Sequence, residues 1–464
     1  MHLREDPHHR GGDPMRRIVN ARVVTPAGIR LGGAVFDERG IIAVEDAPSD
    51  RLAPRPEGAE TIDAEGAWLV PGGIDPHVHF GGFGDIPIAD DFWTGSCGAL
   101  AGGTTTVMDF CEPARGEDAR AVIARRMADA SCSAVDYAFH FVLSEQYEDL
   151  LADLSCIEDE AGIRDYKLFT VYDNTTLGLD DVRSIFSRLA GDLRRTFLIH
   201  AEDAELVACL QDELGDSVDM QYLARTRPDT AEFREVEALH DLVAETGARV
   251  CIAHSTCAET VALLDGPLPC GEFLLETCPH YLAFTEDALA GDRGARSTMV
   301  PPLRTIADQA ALWEAILSGK LSILSTDHCP YHARYKDDAT YRTVPCGVDG
   351  VQWRMIYAYS EGVVKRGLSM ERFVDLTSAA AARFYGMWPR KGCIAPGSDA
   401  DLVLIDPVGT TTLGMGVSAS AIDYSIYEGM ELSGRIARVF KGGREVYDGT
   451  AVHAEPGSGS FLRR

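Results

Sequence analysis

Short apolar runs alternate with polar or amphipathic segments through the middle of the chain. Each run has the length of a strand, and helix-like sequence such as 116–130 follows it. Strands that alternate with helical patterns predict β/α units, and eight such units predict a (β/α)8 TIM barrel. A doubly wound open sheet is the alternative fold, but no G-x-G-x-x-G opens a helix after the first strand. The eight apolar runs are 68–80, 104–110, 135–143, 165–173, 196–203, 248–256, 272–282 and 321–328.

Both ends of the chain have a different texture, with short β-like runs separated by Pro and Gly. We predict one small β-sandwich-like domain built from residues 15–69 and 390–464. The barrel, residues 70–389, is inserted between these two parts, an arrangement that neighbouring chain termini permit. Residues 1–14 are polar and rich in His, Pro and Gly, so we expect a disordered tail.

Composition narrows the class of protein. The chain has 464 residues and a net charge of −29, which argues against nucleic acid or an anionic membrane as a partner. No segment approaches the ~18–20 apolar residues that span a bilayer. The N-terminus lacks the apolar core of a secretory signal. Twelve Cys without a C-x-x-C pair indicate reduced thiols and a cytoplasmic protein.

Polar side chains stand where the apolar runs end. His77 and His79 are one residue apart, so an extended backbone points both imidazoles to one side. His200, His254 and Asp327 end three further runs. A lone His at a strand end is more often a core residue, but the strand ends of a barrel converge on one face. Four His and one Asp together predict a site for zinc or another divalent transition metal.

Lys167 lies within the fourth apolar run. Burial disfavours an ammonium and lowers its pKa, and the neutral amine can then react with CO2 to give a carbamate. That anionic group has two oxygens and can bridge two metals. A surface lysine that extends its ammonium to water is the alternative reading, and only the neighbouring histidines favour the carbamate.

The chain resembles cyclic amidohydrolases of the dihydropyrimidinase/hydantoinase family, within the amidohydrolase superfamily. The similarity runs from about Met15 to the C-terminus, through many ordered motifs. These motifs are PGGIDPHVHF (71–80), DDFWTGSCGALAGGTTTVMDF (90–110), DYKLFTVYD (165–173), IHAED (199–203), IAHS (252–255), ETCPHYL (276–282), PPLR (301–304), STDHCPY (325–331) and RKGCIAPGSDADLVLID (390–406).

The resemblance implies two divalent metal ions, with zinc the expected metal. His77, His79 and Asp327 match ligands of one metal, His200 and His254 match ligands of the other. Lys167 matches a carboxylated lysine that bridges both metals, and Tyr172 matches a tyrosine that hydrogen-bonds the oxyanion.

The implied reaction opens a hydantoin or dihydropyrimidine ring to an N-carbamoyl amino acid. Two metals lower the pKa of a shared water, and the resulting hydroxide attacks the ring carbonyl. Asp327 carries the proton from the nucleophile to the leaving nitrogen, and Tyr172 stabilises the oxyanion. The family also implies a homo-oligomer, a dimer or a tetramer.

Two positions on the substrate side depart from the family pattern. Val300 precedes PPLR, at a position where many members have Ser. Cys346 lies between Pro345 and Gly347, where many members have the Asn of a P-N-G segment. Family members hold the substrate ring at these two positions mainly through backbone groups. The replacements of the side chains therefore put the identity of the substrate in doubt, but not the ability to bind a ring. Phe83 and Trp93, in the loop after the paired histidines, would make the substituent pocket apolar. Ordinary loop anchoring is an equal alternative.

Other functions remain open at this level. Dihydroorotases place Arg two residues after the second His to clamp a carboxylate, but Gly81 stands there. Allantoinase is the better alternative of the two. Some relatives have lost metal ligands and act as non-catalytic scaffolds, whereas all six ligand positions are present in this chain.

Overall fold

The computed structural model describes residues 15–46, 59–82, 86–172, 175–266 and 270–464. The tail predicted at 1–14 lies outside these ranges. The centre of the molecule is an eight-stranded parallel sheet in which neighbours in sequence are neighbours in space, which confirms the predicted barrel. Its strands are β6 (Gly73–Asp75), β7 (Thr104–Cys111), β8 (Asp136–Val142), β9 (Asp165–Phe169), β10 (Thr196–His200), β11 (Arg249–Ile252), β12 (Glu272–Thr277) and β13 (Ile323–Leu324).

The first and last barrel strands meet through the residues that follow them. Val78 forms an isolated parallel bridge with His328, and His79 N donates to His328 O at 2.9 Å. The buried carboxylate of Asp75 accepts hydrogen bonds from Thr326 N at 3.1 Å and Thr326 Oγ1 at 2.6 Å. These contacts hold the ends of β6 and β13 together, where sequence analysis places three metal ligands.

The helices around the barrel form because their apolar residues recur with helical spacing. In α4, Val182, Ile185, Phe186 and Leu189 are buried, the i, i+3, i+4, i+7 pattern of one helix face. The helices are α1 (Phe92–Ala101), α2 (Ala119–Asp129), α3 (Tyr147–Ala152), α4 (Leu179–Leu189), α5 (Ala204–Leu214), α6 (Gln221–Thr226), α7 (Asp229–Thr246), α8 (Ala258–Ala262), α9 (Pro279–Ala283), α10 (Ile306–Ser318), α11 (Arg354–Tyr357), α12 (Met370–Val374) and α13 (Ala380–Phe384).

A second, mixed sheet is built from both ends of the chain, as predicted. Its strands are β1 (Arg16–Thr25), β2 (Gly28–Asp37), β3 (Gly40–Glu45), β4 (Glu60–Asp63), β5 (Trp68–Pro71), β14 (Leu402–Thr412), β15 (Glu431–Lys441) and β16 (Arg444–Tyr447). The strand order across the sheet is β16-β15-β14-β5-β1-β2-β3, and β4 pairs with β1. The N-terminal and C-terminal parts meet where β5 pairs antiparallel with β14. The exact division at 69/70 and 389/390 stays a prediction.

Buried charges link the small sheet to the barrel. Lys391 Nζ is 2.6 Å from Asp136 Oδ2, at the start of β8, and 2.7 Å from Asp401 Oδ2, beside β14. Lys441 Nζ is 2.8 Å from the other oxygen of Asp136. Because a buried charge without its partner is costly, this cluster favours a fixed placement of the two sheets. None of the helices in the described ranges combines the length and apolar character needed to cross a bilayer.

Candidate active site

The residues predicted as metal ligands converge on one cavity of about 830 Å³ at the C-terminal face of the barrel. They come from five barrel strands or the residues that directly follow them, which explains how residues 250 positions apart in sequence become neighbours. All six line the cavity: His77, His79, Lys167, His200, His254 and Asp327. The residues that the sequence predicts as ligands are thus brought together in space.

His77, His79 and Asp327 form the tightest part of the cluster. Asp327 Oδ1 is 3.2 Å from His77 Nε2 and 3.1 Å from His79 Nε2. One ligand atom from each of the three residues lies within 4.8 Å of the others, the spacing of groups that can share one cation. Both rings pack against Phe110, with centroid distances of 5.2 Å and 4.6 Å.

His200 and His254 form the neighbouring pair. His200 is the last residue of β10, and its ring centroid lies 4.5 Å from that of His254. The His254 ring is in turn 5.3 Å from the His77 ring, so the two groups are continuous. Burial lowers the pKa of His77 and His254 well below the ordinary value. Both rings are therefore neutral at neutral pH, the state in which imidazole binds a metal.

Lys167 lies between the two groups of histidines, within β9. Its side chain is 1% exposed, and no hydrogen bond from the described residues reaches Nζ. The ammonium position is 4.9 Å from the Phe169 ring centroid and 5.4 Å from that of Phe110. Burial lowers the pKa of Lys167 to about 8, so a neutral amine is available near physiological pH.

Two buried glutamates contact two of the candidate histidine ligands, and the sequence pattern predicts a role for neither. Glu276 Oε1, on β12, is 2.6 Å from His77 Nδ1, which leaves Nε2 for a metal. Glu202 Oε2 is 2.8 Å from His200 Nε2, which leaves Nδ1 for a metal. Glu202 lies in the motif IHAED and Glu276 in ETCPHYL. An acidic residue at or just past the end of a predicted strand is the sequence feature from which both glutamates could have been predicted.

Three residues of the site have backbone conformations that non-glycine residues rarely adopt. The φ angles are 103° at Tyr172, 35° at His254 and 47° at Asp327. In the described part of the chain only Asn20 and Glu65 share this feature among non-glycine residues. Each such residue costs of the order of 1–3 kcal/mol, and such strain concentrates at functional sites.

Tyr172 stands on the cavity wall, three residues beyond the end of β9. Its ring lies 4.9 Å from the His200 ring, and the Arg227 guanidinium lies 5.3 Å from its centroid. Burial raises the pKa of Tyr172 well above its ordinary value. The phenol is therefore protonated at neutral pH and can donate a hydrogen bond into the cavity.

Val300 and Cys346 also line the cavity, on the wall formed by the loops after β12 and β13. A fully buried lysine joins the two segments. Lys336 Nζ donates to Thr298 O at 3.2 Å and to Gly347 O at 2.6 Å. Gly347 N also donates to Thr298 O at 2.9 Å. The backbone beside Val300 and Cys346 is thereby fixed, whatever side chains those positions carry.

The two aromatic substrate contacts predicted after the paired histidines differ in outcome. Phe83 lies outside the described residues. Trp93 is in the first turn of α1, where it is partly buried against the main hydrophobic core. Trp93 is not among the described residues that line the cavity, so its contact with substrate stays a prediction.

The donor set fits a pair of divalent transition-metal ions. Neutral imidazoles and a carboxylate are ligands that such metals prefer, and Asp327 already approaches both His77 and His79. Lys167 Nζ and His254 Nδ1 are buried polar atoms without hydrogen-bond partners in the described ranges. Buried polar groups are normally satisfied, so these atoms indicate ligands that a protein-only structure lacks.

Comparison with known proteins agrees with this fold. A model of the amidohydrolase family matches residues 68–446. D-hydantoinase from Geobacillus stearothermophilus is 32% identical over 457 residues, covering 96% of both chains. D-phenylhydantoinase from Escherichia coli is 32% identical over 463 residues, covering 97% of this chain and 98% of the relative. The crystal structure of dihydropyrimidinase from Brevibacillus agri has a TM-score of 0.91, 32% identity, and coverage of 97% of this chain and 98% of that one.

The barrel and its convergent His/Asp cluster define an amidohydrolase, and the chain belongs to the amidohydrolase family. Within that family it belongs to the hydantoinase and dihydropyrimidinase group, as the near full-length relatives show.

Proposed function

We propose that this protein hydrolyses the cyclic amide bond of hydantoins or dihydropyrimidines and releases N-carbamoyl amino acids. The observation that carries the proposal is the convergence of all six predicted ligand residues and a protonated tyrosine on one cavity. The relatives named D-hydantoinase, D-phenylhydantoinase and dihydropyrimidinase support the choice of ring.

Two divalent ions, zinc in our proposal, would be held by two groups of residues. His77, His79 and Asp327 would hold one, and His200 and His254 the other. When bound, such a pair lowers the pKa of a shared water and polarises the carbonyl that is attacked. Glu276 and Glu202 fix the ring orientations of His77 and His200, so those two imidazoles are preorganised for the ions.

Lys167 is proposed to act as a carbamate. Its neutral amine would form a C–N bond to CO2 and release a proton, which leaves an anion with two oxygens between the histidine groups. Burial without a hydrogen-bond partner supports this role, since an unmodified ammonium there would be both desolvated and unpaired.

Asp327 and Tyr172 would carry the proton and the developing charge. Asp327 accepts the proton that the attacking water loses and returns it to the ring nitrogen that leaves. The Tyr172 hydroxyl donates a hydrogen bond to the carbonyl oxygen as it gains negative charge. Its raised pKa supports this role, because only a protonated phenol can donate.

The substrate ring is proposed to lie against the backbone beside Val300 and Cys346. Both positions line the cavity, and Lys336 ties their segments together from behind. Allantoin and dihydroorotate remain alternative rings. A non-catalytic scaffold is the remaining alternative, and the assembled ligand set argues against it.

A ring-opening panel tests the proposal. Metal-analysed enzyme is incubated with dihydrouracil, hydantoin, 5-phenylhydantoin, allantoin and dihydroorotate, and products are identified by chromatography with mass detection. We expect N-carbamoyl products from the hydantoins or dihydrouracil, and a large loss of rate in Asp327→Asn. Turnover of allantoin or dihydroorotate alone would move the assignment to those activities. A protein that contains no metal as purified and opens none of the rings would support the non-catalytic scaffold.

We also propose a cytoplasmic homo-oligomer. All twelve cysteines are free, which is in keeping with a reducing compartment. Size-exclusion chromatography with light scattering tests the oligomeric state, and a monomer at assay concentration would contradict it.

A further inference from the structure

The cavity extends from the predicted metal ligands along one face of α5, and its lining residues Ala208 and Arg342 are exposed to solvent; we call this part of the cavity the channel. Ala204, Val207, Ala208 and Gln211 line it, at spacings of three, four and seven residues. That spacing places them on one helix face, and seven residues of helix extend about 10 Å. This wall begins four residues after His200, so its inner end is close to the reacting centre.

The middle of this channel is apolar. Val171, Val207, Leu223 and Val344 line it, and each of these side chains is less than a tenth exposed. An unsubstituted hydantoin ring would leave this surface in contact with water. A substituent with a hydrocarbon stem would cover it, and burial of apolar surface favours binding.

Arg342 stands at the outer end of the channel. Its Nη2 donates to the main-chain oxygen of Gln211, in the last turn of α5, and its Nε donates to Tyr341 Oη at 3.1 Å. These two bonds direct the guanidinium along the cavity wall. Nη1 makes no hydrogen bond to the described part of the chain, and no carboxylate in the described ranges forms an ion pair with Arg342.

The charge of Arg342 is unusual for its setting. The chain carries a net charge of −29, and most arginines in the described ranges pair with Asp or Glu. Arg227, the other cavity arginine, is already paired with the buried Glu202. Of the two arginines among the described residues that line the cavity, Arg342 is thus the one without an acidic partner, and its Nη1 is available at the mouth.

We propose that Arg342 binds an anionic group at the end of the ring substituent. The preferred substrates are then cyclic amides whose exocyclic chain has an apolar stem and a terminal carboxylate. The stem lies along the α5 wall, and the carboxylate pairs with Nη1 of Arg342. This inference rests on the proposed function, and it names the substrate class of the same site.

The test compares two substrates that differ only in charge: 5-(4-carboxybenzyl)hydantoin and 5-(4-carbamoylbenzyl)hydantoin. Unsubstituted hydantoin reports the ring-opening reaction itself. For the wild-type enzyme we expect kcat/KM about tenfold higher for the acid than for the amide, mainly through KM. Because the pair is near solvent, 0.5 M NaCl should reduce this ratio.

The variants are Arg342→Gln and, as a matched control, Arg225→Gln. Arg225 is an exposed arginine on α6 that does not line the described cavity, so its removal changes net charge equally. We expect Arg342→Gln to bring the acid-to-amide ratio near one while leaving the amide and hydantoin unchanged. Arg225→Gln should keep the wild-type ratio.

An acid-to-amide ratio of one or less in the wild type, with hydantoin opened normally, would overturn the proposal and leave the proposed function intact. An equal loss of the ratio in both variants would also overturn it, since net charge would then explain the preference. If none of the rings opens, the affinities of the acid and the amide are measured by calorimetry, and they test the role of Arg342 independently of catalysis. Tighter binding of the acid that Arg342→Gln removes would support the channel, and equal binding would refute it.

Discussion

Tyr172→Phe is the perturbation that isolates one hydroxyl of the reaction. The side chain is held by its ring, which contacts His200 at 4.9 Å and Phe169 at 5.8 Å between centroids. Phenylalanine preserves these contacts, and it adopts the φ of 103° with no more strain than tyrosine. No hydrogen bond from the described residues holds the hydroxyl, so its loss leaves no group in those residues unpaired.

The expected loss of kcat follows from the proposed role of the Tyr172 hydroxyl as a donor to the oxyanion. One donor to a developing oxyanion in an enclosed site contributes about 2.7–4 kcal/mol to the transition state. We therefore expect kcat to fall by about 10²–10³, with KM changed by less than about threefold, because the donor acts mainly after binding. Metal content and the thermal midpoint should match the wild type, since neither the ligands nor the packing change.

The assay is steady-state ring opening of hydantoin, with metal content measured on the same sample. Tyr331→Phe is the matched control, because Tyr331 lines the same cavity and its hydroxyl already faces Cys329 Sγ at 3.7 Å. We expect that control to keep kcat within about threefold. A Tyr172→Phe variant with more than a third of wild-type kcat and full metal would refute the oxyanion role.

Three further predictions concern lysines and a histidine. Lys167→Ala should lose bound metal and activity together, and short carboxylic acids should restore part of both; full activity in the untreated variant would exclude the carbamate. Lys336→Met should raise KM about tenfold at unchanged metal content, measured by hydantoin kinetics, because the segments at Thr298 and Gly347 lose their shared donor. Burial lowers the pKa of His280 to about 4, below its unfolded value of ~6.5, so the wild type loses stability as pH falls between these values. His280→Leu should remove that loss of up to about 3 kcal/mol, and urea midpoints at pH 7 and pH 4.5 that shift equally in both chains would contradict it.

The barrel and the convergence of most candidate ligands on one cavity could be predicted because one local rule places them. A polar residue after an apolar run lies on the catalytic face of a barrel, and this rule finds His77, His200 and Asp327 without knowledge of tertiary contacts. Lys167 obeys the rule less well, since it lies inside β9 rather than at its end. Its place between the histidines depends on the register of β9 against β10, in which Lys167 pairs with Leu198.

Other parts of the site depend on contacts between distant segments. The pairing of Glu276 with His77 joins residues 199 positions apart, and no local pattern indicates which histidine a buried glutamate contacts. Lys336 reads as an ordinary polar loop residue, yet it is fully buried and binds two substrate-side segments. The position of Arg342 depends on how its loop packs against the end of α5. Packing between distant segments, rather than local propensity, determines the contact of Glu276, the burial of Lys336 and the position of Arg342.

In our proposal, ring opening depends on two divalent ions held by His77, His79, Lys167, His200, His254 and Asp327. The most direct measurement is titration of chelator-treated, metal-free protein with Zn²⁺, with hydantoin hydrolysis followed at each step. We expect no activity without metal and a plateau of activity at two ions per chain. Full hydrolysis by the metal-free protein, or an activity plateau at one ion per chain, would contradict it.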